Sequence, residues 1–325
     1  MEDRNNFNFS FLTWNIYLGA DTTPLAIAPP AQLPKVVTEV FRQFLATNFP
    51  VRVKAIASEI STKKPDLIGL QEVEVWQLEI PNFGIVTYDF VELLLIELKK
   101  IGLDYKIAAQ NRNYSAQLPD SNGNTVRLLD TDVILIRERC GLNIINKQED
   151  NYKANLTVLI AGQPFVLLRG WSLVDVKADG HIFRMINTHL QSPDAPGAAS
   201  IQVAQAQELL AGPANTNLPV VVTGDLNSNA DGSGTPTYGM FISAGFRDAW
   251  KEVGRGPGFT AHQAPDLLNA VSALNIRIDF ILFKNGWEPN KADLVGEEQD
   301  DRTCTGLWPS DHAGVAACLE LNCSC

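Results

Sequence analysis

Short hydrophobic segments, some alternating with polar residues and some continuous, are separated along the chain by longer segments with the spacing of amphipathic helices. The segment NFSFLTWNI alternates its side chains between two faces and predicts an early strand. VRVKAIASEIST places Val53, Ile56 and Ile60 on one face of a helix, and PDLIGLQEV after it is continuously apolar. The latter pattern is typical of a strand that is covered on both faces.

The same criteria divide the rest of the chain. Further strands are predicted at DYKIAAQ, TDVILIRE, FVLLRGWSLVDVK, HIFRMINTHL, LPVVVTGDLN, RIDFILF and AGVAACLEL, and further helices at YDFVELLLIELKKIG and AASIQVAQAQELLAG. Several strands follow one another in hairpin order, which predicts an α/β fold with substantial antiparallel pairing. Because no repeat or linker interrupts the pattern, we expect one domain over residues 1–325, with a proline-rich loop or lid at about residues 17–37.

Composition is that of a soluble globular protein, with 45% hydrophobic residues and a mean hydropathy of −0.03 over 325 residues. No apolar run is long enough to cross a bilayer, so we expect no transmembrane segment. The start, MEDRNNFNFSF, lacks the basic and apolar regions of a secretory signal, which favours a cytoplasmic location unless a leader precedes it. The net charge of −11 disfavours a non-specific grip on nucleic acid.

Five cysteines are an odd number in a long chain and indicate reduced thiols more than a disulfide framework. The terminal CLELNCSC offers thiols to a metal, but no second CxxC or histidine pair completes a zinc site. We therefore expect free thiols.

Polar residues of a few types recur where predicted strands begin or end. They are Asn15, Glu72, His189, Asp225, Asn227, Asp279, Asp311 and His312. In VVTGDLN, Asp225 and Asn227 are two residues apart and therefore project to the same face, at the end of a buried strand. Ligands of open α/β sheets bind at such strand ends.

The residue types indicate the chemistry. Glu72, Asp311 and the Asn15 amide are hard oxygen donors, which suit Mg²⁺ or Mn²⁺. A neutral histidine can act as a general base, and an imidazolium can stabilise charge or donate a proton to a leaving oxygen. Together these groups are what metal-dependent phosphoester hydrolysis requires.

Each residue alone also has a structural explanation. Asp225 and Asn227 could cap the turn GDLNSNADG, Glu72 could begin a helix, and a single histidine is more often structural. Asp279, inside an apolar strand, needs a partner in either case. We interpret His181 and His262 as structural residues of a turn and a loop. The ordered occurrence of the whole set favours a site.

Six motifs in order, TWN, LQEV, NTHL, GDLN, RIDFIL and SDHAGV, span nearly the entire chain and resemble the endonuclease/exonuclease/phosphatase superfamily. Further segments, such as GADTTPL and WPSDHAGV, resemble a bacterial branch of it. The resemblance implies a four-layer α/β sandwich, with two mixed, mostly antiparallel sheets face to face and helices outside. It also implies divalent-metal-dependent hydrolysis of phosphodiesters or phosphomonoesters.

Roles for individual residues follow from this resemblance. It implies that Asn15, Glu72 and Asp311 hold Mg²⁺ or Mn²⁺. Asp225 would orient or deprotonate the attacking water, and Asn227 would fix the scissile phosphate. His312, paired with Asp279, and His189 would flank the phosphate, with the identity of the base left open.

Four more residues are candidates for substrate contacts or for orienting a histidine. Arg169 in LLRGW could clamp a phosphate or could be a structural arginine at a strand end. Asn111, Asn113 and Asp132 lie where relatives place substrate-binding or histidine-orienting groups. The segment AQNRNYS, which contains Asn111 and Asn113, lacks the tyrosine and glycine at the positions where the abasic-site endonucleases have them.

Three functions are compatible with the sequence. The leading one is a phosphodiesterase acting on a small-molecule or lipid headgroup ester, because the chain is acidic and lacks a Lys/Arg cluster with interleaved aromatics. A nuclease is the second. A non-catalytic module that binds a phosphorylated ligand is the third, and it is disfavoured because every expected catalytic position is filled. The oligomeric state is left open.

Overall fold

The computed structural model describes residues 7–139, 141–178 and 180–322. The strands are β1 (Phe7–Asn15), β2 (Leu67–Gln71), β3 (Val75–Ile80), β4 (Gly84–Asp89), β5 (Tyr105–Pro119), β6 (Thr125–Arg137), β7 (Asn143–Asn151), β8 (Leu156–Ile160), β9 (Gln163–Leu167), β10 (Gly170–Ala178), β11 (His181–His189), β12 (Val220–Asp225), β13 (Arg247–Asp248), β14 (Asp279–Lys284), β15 (Trp287–Val295) and β16 (Gly314–Leu321). The helices are α1 (Thr23–Ile27), α2 (Leu33–Ala46), α3 (Phe49–Lys63), α4 (Phe90–Lys100), α5 (Ala198–Ala211), α6 (Thr237–Ser243) and α7 (Ala249–Val253), with 3-10 helices at Pro30–Gln32 and Gln299–Asp301.

Two large mixed sheets form the centre of the molecule. The first has the order β15-β16-β1-β2-β6-β3-β4, with β5 also paired to β6, and the second has the order β13-β14-β12-β11-β10-β7. The pairs β1/β2 and β11/β12 are parallel, and the other pairs within these sheets are antiparallel. β8 and β9 form a separate hairpin.

Three apolar clusters arrange the elements in four layers. Phe11 of β1 packs with Val221 and Ile281 in the cluster between the two sheets. Its neighbour Leu12 points to the opposite face, as strand geometry requires, and packs in the cluster that includes residues of α2, α3 and α4. The outer face of the second sheet is covered by α5 and α6. The predicted helix–sheet–sheet–helix sandwich is confirmed.

The proline-rich segment differs from the loop predicted at about residues 17–37. It contains α1, the 3-10 helix and the start of α2, and each begins with a proline in its first turn. Proline is tolerated there because the first amides of a helix have no intrahelical partner. The segment packs partly on the core, since Leu33 is buried, whereas Ile27 is 78% exposed.

Two further predictions concern the cysteines and a transmembrane segment. Cys304 and Cys318 are free thiols, and Cys140, Cys323 and Cys325 lie outside the described residues. Among the helices of the described ranges, none is long and apolar enough to cross a membrane.

Polar side chains join the two sheets close to the strand ends. Gln71 Nε2 donates a hydrogen bond to Asn187 Oδ1 (2.7 Å), and Asn187 Nδ2 donates to the Leu70 carbonyl (3.0 Å). We call this contact between Gln71, Leu70 and Asn187 the seam. Gly69 lies against it, and a Cβ atom at position 69 would overlap the side chains of Thr223 and Asn187. The absence of a side chain at position 69 therefore allows the sheets to approach each other here.

Gly69→Ala should lower the free energy of unfolding by about 1–3 kcal/mol, because the added methyl group forces the seam apart. Gly239→Ala is the matched control, since Gly239 lies in α6 with no atom within 4 Å of an added Cβ. The free energy of unfolding of Gly239→Ala should stay equal to that of the wild type or rise slightly. Urea unfolding of both variants tests this, and equal midpoints would show that the seam tolerates a side chain.

Candidate active site

The sheet topology gathers the predicted residues at one edge of the sandwich. His189, Asp225 and Asp279 are aligned across β11, β12 and β14 as neighbouring register partners. In the first sheet, Asn15 is paired with Gln71, the residue before Glu72. The pairs β1/β2 and β11/β12 are parallel, so the carboxyl ends of these four strands meet at this edge. β14 and β16 run antiparallel to β12 and β1, so their first residues lie at the same edge.

His312 and Asp279 form a buried pair. His312 Nδ1 lies 2.9 Å from Asp279 Oδ2, and His312 Nε2 lies 4.0 Å from Asp225 Oδ2. Burial lowers the pKa of His312, but the carboxylates of Asp279, Asp311 and Asp225 outweigh burial and raise it well above its ordinary value. This ring is therefore held as an imidazolium, with one N–H directed at Asp279.

His189 has the opposite environment. Its Nδ1 lies 2.9 Å from Arg169 Nη1, and its Nε2 lies 3.1 Å from Asn227 Nδ2 and 3.5 Å from Asp225 Oδ2. Burial and the cations of Arg169 and His312 hold its pKa well below the ordinary value. The site therefore contains one charged and one neutral histidine.

Asp225 lies between the two histidines. Its Oδ1 accepts a hydrogen bond from the Asn227 amide (2.8 Å), and its Oδ2 lies 3.3 Å from Asn15 Nδ2. Burial and the neighbouring Asp279 raise the pKa of Asp225 to about 8, against the opposing effect of His312. Asn227 has a φ of +50°, a left-handed conformation that asparagine tolerates, and its amide Nδ2 reaches the Leu190 carbonyl (3.0 Å).

Three oxygen-bearing side chains of the predicted metal set lie beside this group. Glu72 Oε2 accepts from the Leu18 amide (2.6 Å), and Asn15 Oδ1 accepts from the Tyr17 amide (3.0 Å). Burial raises the pKa of Asp311 to about 7, and the Glu72 carboxylate adds to this effect while His312 and Arg52 oppose it. Two mutually repelling carboxylates and an amide oxygen fit a hard divalent cation, which would relieve the repulsion.

A second set also satisfies the distances of a metal site. Asp225, Asp279 and His312 each offer a ligand atom, and these atoms lie within 4.8 Å of one another. A metal ligand must be a neutral imidazole, whereas His312 donates to Asp279 and is favoured as the cation. We therefore interpret this set as a proton-transfer group.

The asparagines predicted to contact substrate are buried and bonded to protein groups. Asn113 Nδ2 donates to Asp130 Oδ1 (2.6 Å) and Asp132 Oδ2 (2.9 Å), and Asn111 Nδ2 donates to Asn113 Oδ1 (2.5 Å). Asp132 Oδ1 in turn accepts from the Glu72 amide (3.3 Å). These residues therefore form a chain of hydrogen bonds that supports Glu72 from β5 and β6.

Two buried carboxylates near this chain were not predicted from the sequence. Glu74 is fully buried and neither of its carboxylate oxygens has a hydrogen-bond partner, and Asp130 Oδ2 lies 3.7 Å from Arg169 Nη1. Burial raises the pKa of Glu74 well above its ordinary value, and Asp130 and Glu72 add to this. The available signal for Asp130 was the alternation of acids in DTD, which places Asp130 and Asp132 on one face of β6. Glu74 lies in the connection between β2 and β3, where the sequence carries no such signal.

His262, interpreted from the sequence as a structural loop residue, lies next to the pair of His312 and Asp279. Its ring is perpendicular to that of His312, with centroids 4.8 Å apart, and its side chain is exposed. The sequence carried no sign of this contact, because the two residues are 50 positions apart.

Arg52 of α3 was also missed, and it fixes the segments next to Asn15 and Asp311, two of the three residues of the predicted metal set. It is fully buried, and its Nη1 donates to the carbonyls of Ile16 and Pro309 (both 2.8 Å). Its other nitrogens donate to the carbonyls of Thr47 and Tyr17 (both 3.0 Å). An arginine on the apolar face of VRVKAIASEI was the available signal.

Comparison with known proteins identifies the family of the chain. The model of the Endonuclease/Exonuclease/phosphatase family matches residues 12–312. The chain belongs to this family, whose members are typically hydrolases acting on phosphoesters. No curated protein matches the sequence.

Solved structures share the fold at low sequence identity. An endonuclease/exonuclease/phosphatase from Beutenbergia cavernae is 18% identical with a TM-score of 0.61, over 97% of this chain and 72% of that one. D. rerio TDP2 complexed with single strand DNA product is 15% identical (TM-score 0.58, 96% and 98% covered). A mannosyl-6-phosphatase from Bacteroides thetaiotaomicron is 17% identical (TM-score 0.55, 96% and 99% covered).

Arg52→Met should lower the free energy of unfolding by about 3 kcal/mol or more, because four buried carbonyls lose a charged donor. Lys54→Met, on the exposed side of the same helix, should change it by no more than about 0.5 kcal/mol. Urea denaturation followed by tryptophan fluorescence measures both. Equal losses in the two variants would show that Arg52 does not hold these loops.

Proposed function

We propose that this chain is a divalent-metal-dependent phosphodiesterase that acts on a small-molecule or lipid headgroup ester. The observation that carries the proposal is the position of Asp225, which lies 3.5 Å from His189 Nε2 and 4.0 Å from His312 Nε2. A carboxylate between a neutral and a charged imidazole, beside an oxygen-rich cation site, is suited to activating water and stabilising a phosphoryl group.

Glu72 and Asp311, with the amide oxygen of Asn15, would hold Mg²⁺ or Mn²⁺. When bound, the cation polarises a phosphoryl oxygen and stabilises the charge that develops on it. Arg52 keeps the loops after β1 and before β16 in place through the Ile16 and Pro309 carbonyls. The cation site is therefore preorganised by hydrogen bonds that are remote from the reacting atoms.

Asp225 would orient the attacking water and accept its proton. The Asn227 amide fixes the Asp225 carboxylate from one side at 2.8 Å, so that Oδ2 remains directed at the site. The Asn227 side chain, held by its left-handed backbone, would donate to a phosphoryl oxygen. A base with a pKa near neutrality combines a useful deprotonated fraction with adequate basicity.

His312 would stabilise the phosphoryl charge and donate a proton to the leaving oxygen. Its Nδ1–H donates to Asp279, which leaves Nε2–H directed toward Asp225 and the site. Asp279 thus sets the orientation of the ring and favours its charged form. Both properties are required of a general acid at neutral pH.

The small-substrate assignment rests on charge. The net charge of −11 opposes the approach of a polyanionic strand, and the sequence has no cluster of basic and aromatic residues that would overcome it. Structures with this fold include both a mannosyl-6-phosphatase and a TDP2 bound to a DNA product, so the fold alone does not choose between substrate classes.

Glu72→Gln should reduce divalent-dependent hydrolysis by about 10²-fold or more, because it removes an anionic metal ligand without changing volume. The substrates are bis-p-nitrophenyl phosphate, a mononucleotide, sphingomyelin and plasmid DNA, each with Mg²⁺, Mn²⁺ or EDTA. Glu39→Gln, at an exposed position of α2, is the matched control. Wild-type rates for Glu72→Gln at saturating Mg²⁺ would contradict the metal assignment, and preferential cleavage of plasmid DNA would support a nuclease instead.

His312→Ala and Asp279→Asn should each lower kcat by about 10²-fold or more, and the double variant should lose little more than either one. The reason is that Asp279 acts through His312, so removing both deletes one function. The measurement is kcat for bis-p-nitrophenyl phosphate in all three variants. Losses that multiply would mean that the two residues act independently.

A further inference from the structure

We propose that Arg169 locks His189 in the neutral tautomer with its proton on Nε2, so that His189 is a hydrogen-bond donor in the reaction and not a proton-transfer group. The location of the proton follows from the two donors that contact the ring, because Arg169 at Nδ1 is charged and Asn227 at Nε2 is neutral. The role of His189 in catalysis rests on the proposed function.

The first step is the contact between the two side chains. Arg169 Nη1 lies 2.9 Å from His189 Nδ1. A guanidinium has only donors and stays charged in proteins, so His189 Nδ1 must be the acceptor. A proton on Nδ1 would place two donors against each other. The neutral ring therefore carries its hydrogen on Nε2.

The second step is the way in which Arg169 is held. It lies in the break between β9 and β10, where its amide donates to Asn155 Oδ1 (3.1 Å) and its carbonyl accepts from the Tyr152 amide (2.8 Å). Its side chain is only 14% exposed. The backbone amide and carbonyl of Arg169 are therefore both hydrogen-bonded, and its guanidinium has little freedom to move away from His189.

The third step is the charge around Arg169. Asp130 Oδ2 lies 3.7 Å from its Nη1, and the carboxylates of Asp132 and Glu72 also favour its charged form. These groups raise the pKa of Arg169 despite the cost of burial. The buried acids that the proposed reaction does not use directly therefore have a role, because they keep a cation against His189.

The last step is the other ring nitrogen. His189 Nε2 lies 3.5 Å from Asp225 Oδ2, an acceptor, and the side chain is 2% exposed. It also lies 3.1 Å from Asn227 Nδ2, a donor that already donates to the Leu190 carbonyl (3.0 Å). Opposing this neutral amide with Nε2–H costs less than opposing the charged guanidinium of Arg169 with Nδ1–H, so the proton is favoured on Nε2.

The Nδ1 lone pair of His189 is occupied by Arg169, and the cations of Arg169 and His312 both oppose a second proton. Neither nitrogen can accept a proton during the reaction. His189 can still donate Nε2–H to Asp225 or to a phosphoryl oxygen.

The test is the protonation state of each ring nitrogen in the ¹⁵N-labelled protein, measured by long-range ¹H–¹⁵N NMR without metal or substrate. The chain has four histidines, so His189→Gln identifies the resonances of His189. In the wild type, Nε2 should be protonated and Nδ1 unprotonated, unchanged between about pH 5.5 and 8. A protonated Nδ1 of His189 at neutral pH would overturn the proposal. If His189→Gln does not fold, the ring resonances are assigned through the backbone of the wild-type protein.

Variants of Arg169 test whether this residue sets the tautomer of His189. Arg169→Gln should allow His189 to populate both tautomers, whereas Arg169→Lys, which keeps a cationic donor, should retain the wild-type state. Arg255→Gln, at an exposed arginine, is the matched control. A His189 spectrum in Arg169→Gln identical to that of the wild type would show that Arg169 does not set the tautomer.

Activity measurements separate the tautomer of His189 from its role as a donor in the reaction. His189→Gln places an amide donor near the position of Nε2 and should retain about tenfold more activity than His189→Ala, as a donor role requires. Equal losses in both would overturn the donor role. If no phosphoester is hydrolysed by the wild type, the proposed function fails, while the NMR result still decides the state of His189.

Discussion

The candidate site is assembled across the gap between two sheets, and the hydrogen bonds of Asn187 set the width of that gap. Its Oδ1 accepts from Gln71, and its Nδ2 donates to the carbonyls of Leu70 (3.0 Å) and Val133 (3.3 Å). Gln71 directly precedes Glu72, and Asn187 lies two residues before His189. The distance between Glu72 of the proposed cation site and His189 therefore depends on this seam, where a side chain at position 69 would overlap Thr223 and Asn187.

Buried charge is arranged in two separate groups around that seam. In one, the His312 cation faces Asp279 and Asp225, and in the other the Arg169 cation faces Asp130. His189 lies between them and contacts the arginine of one group and Asp225 of the other. Because a buried carboxylate is costly without a cation, each group requires its own positive charge, and His189 is left neutral between them.

The positions of the site residues could be predicted from the sequence, whereas most of their partners could not. Asp225 and Glu72 stand at abrupt changes from apolar to polar residues, which are typical of strand ends. The contact of Arg169 with His189 crosses a break between strands that the continuous pattern of FVLLRGWSLVDVK conceals. Arg52 bonds to carbonyls far away in the chain, and no local pattern encodes such contacts. Proline at first-turn positions likewise concealed α1 and the start of α2.

The charge state of His189 also bears on the substrate. A phosphodiester carries one negative charge, whereas a phosphomonoester carries about −1.5 to −2 at neutral pH. With His189 neutral and Arg169 shared with Asp130, the positive charge available to a phosphate under the proposed function is that of His312 and of the cation that Glu72 and Asp311 would hold. The carboxylates of Glu72, Asp311 and Asp225 would offset part of this positive charge. A site with so little excess positive charge is better matched to a monoanion, which favours a diester over a monoester as the substrate.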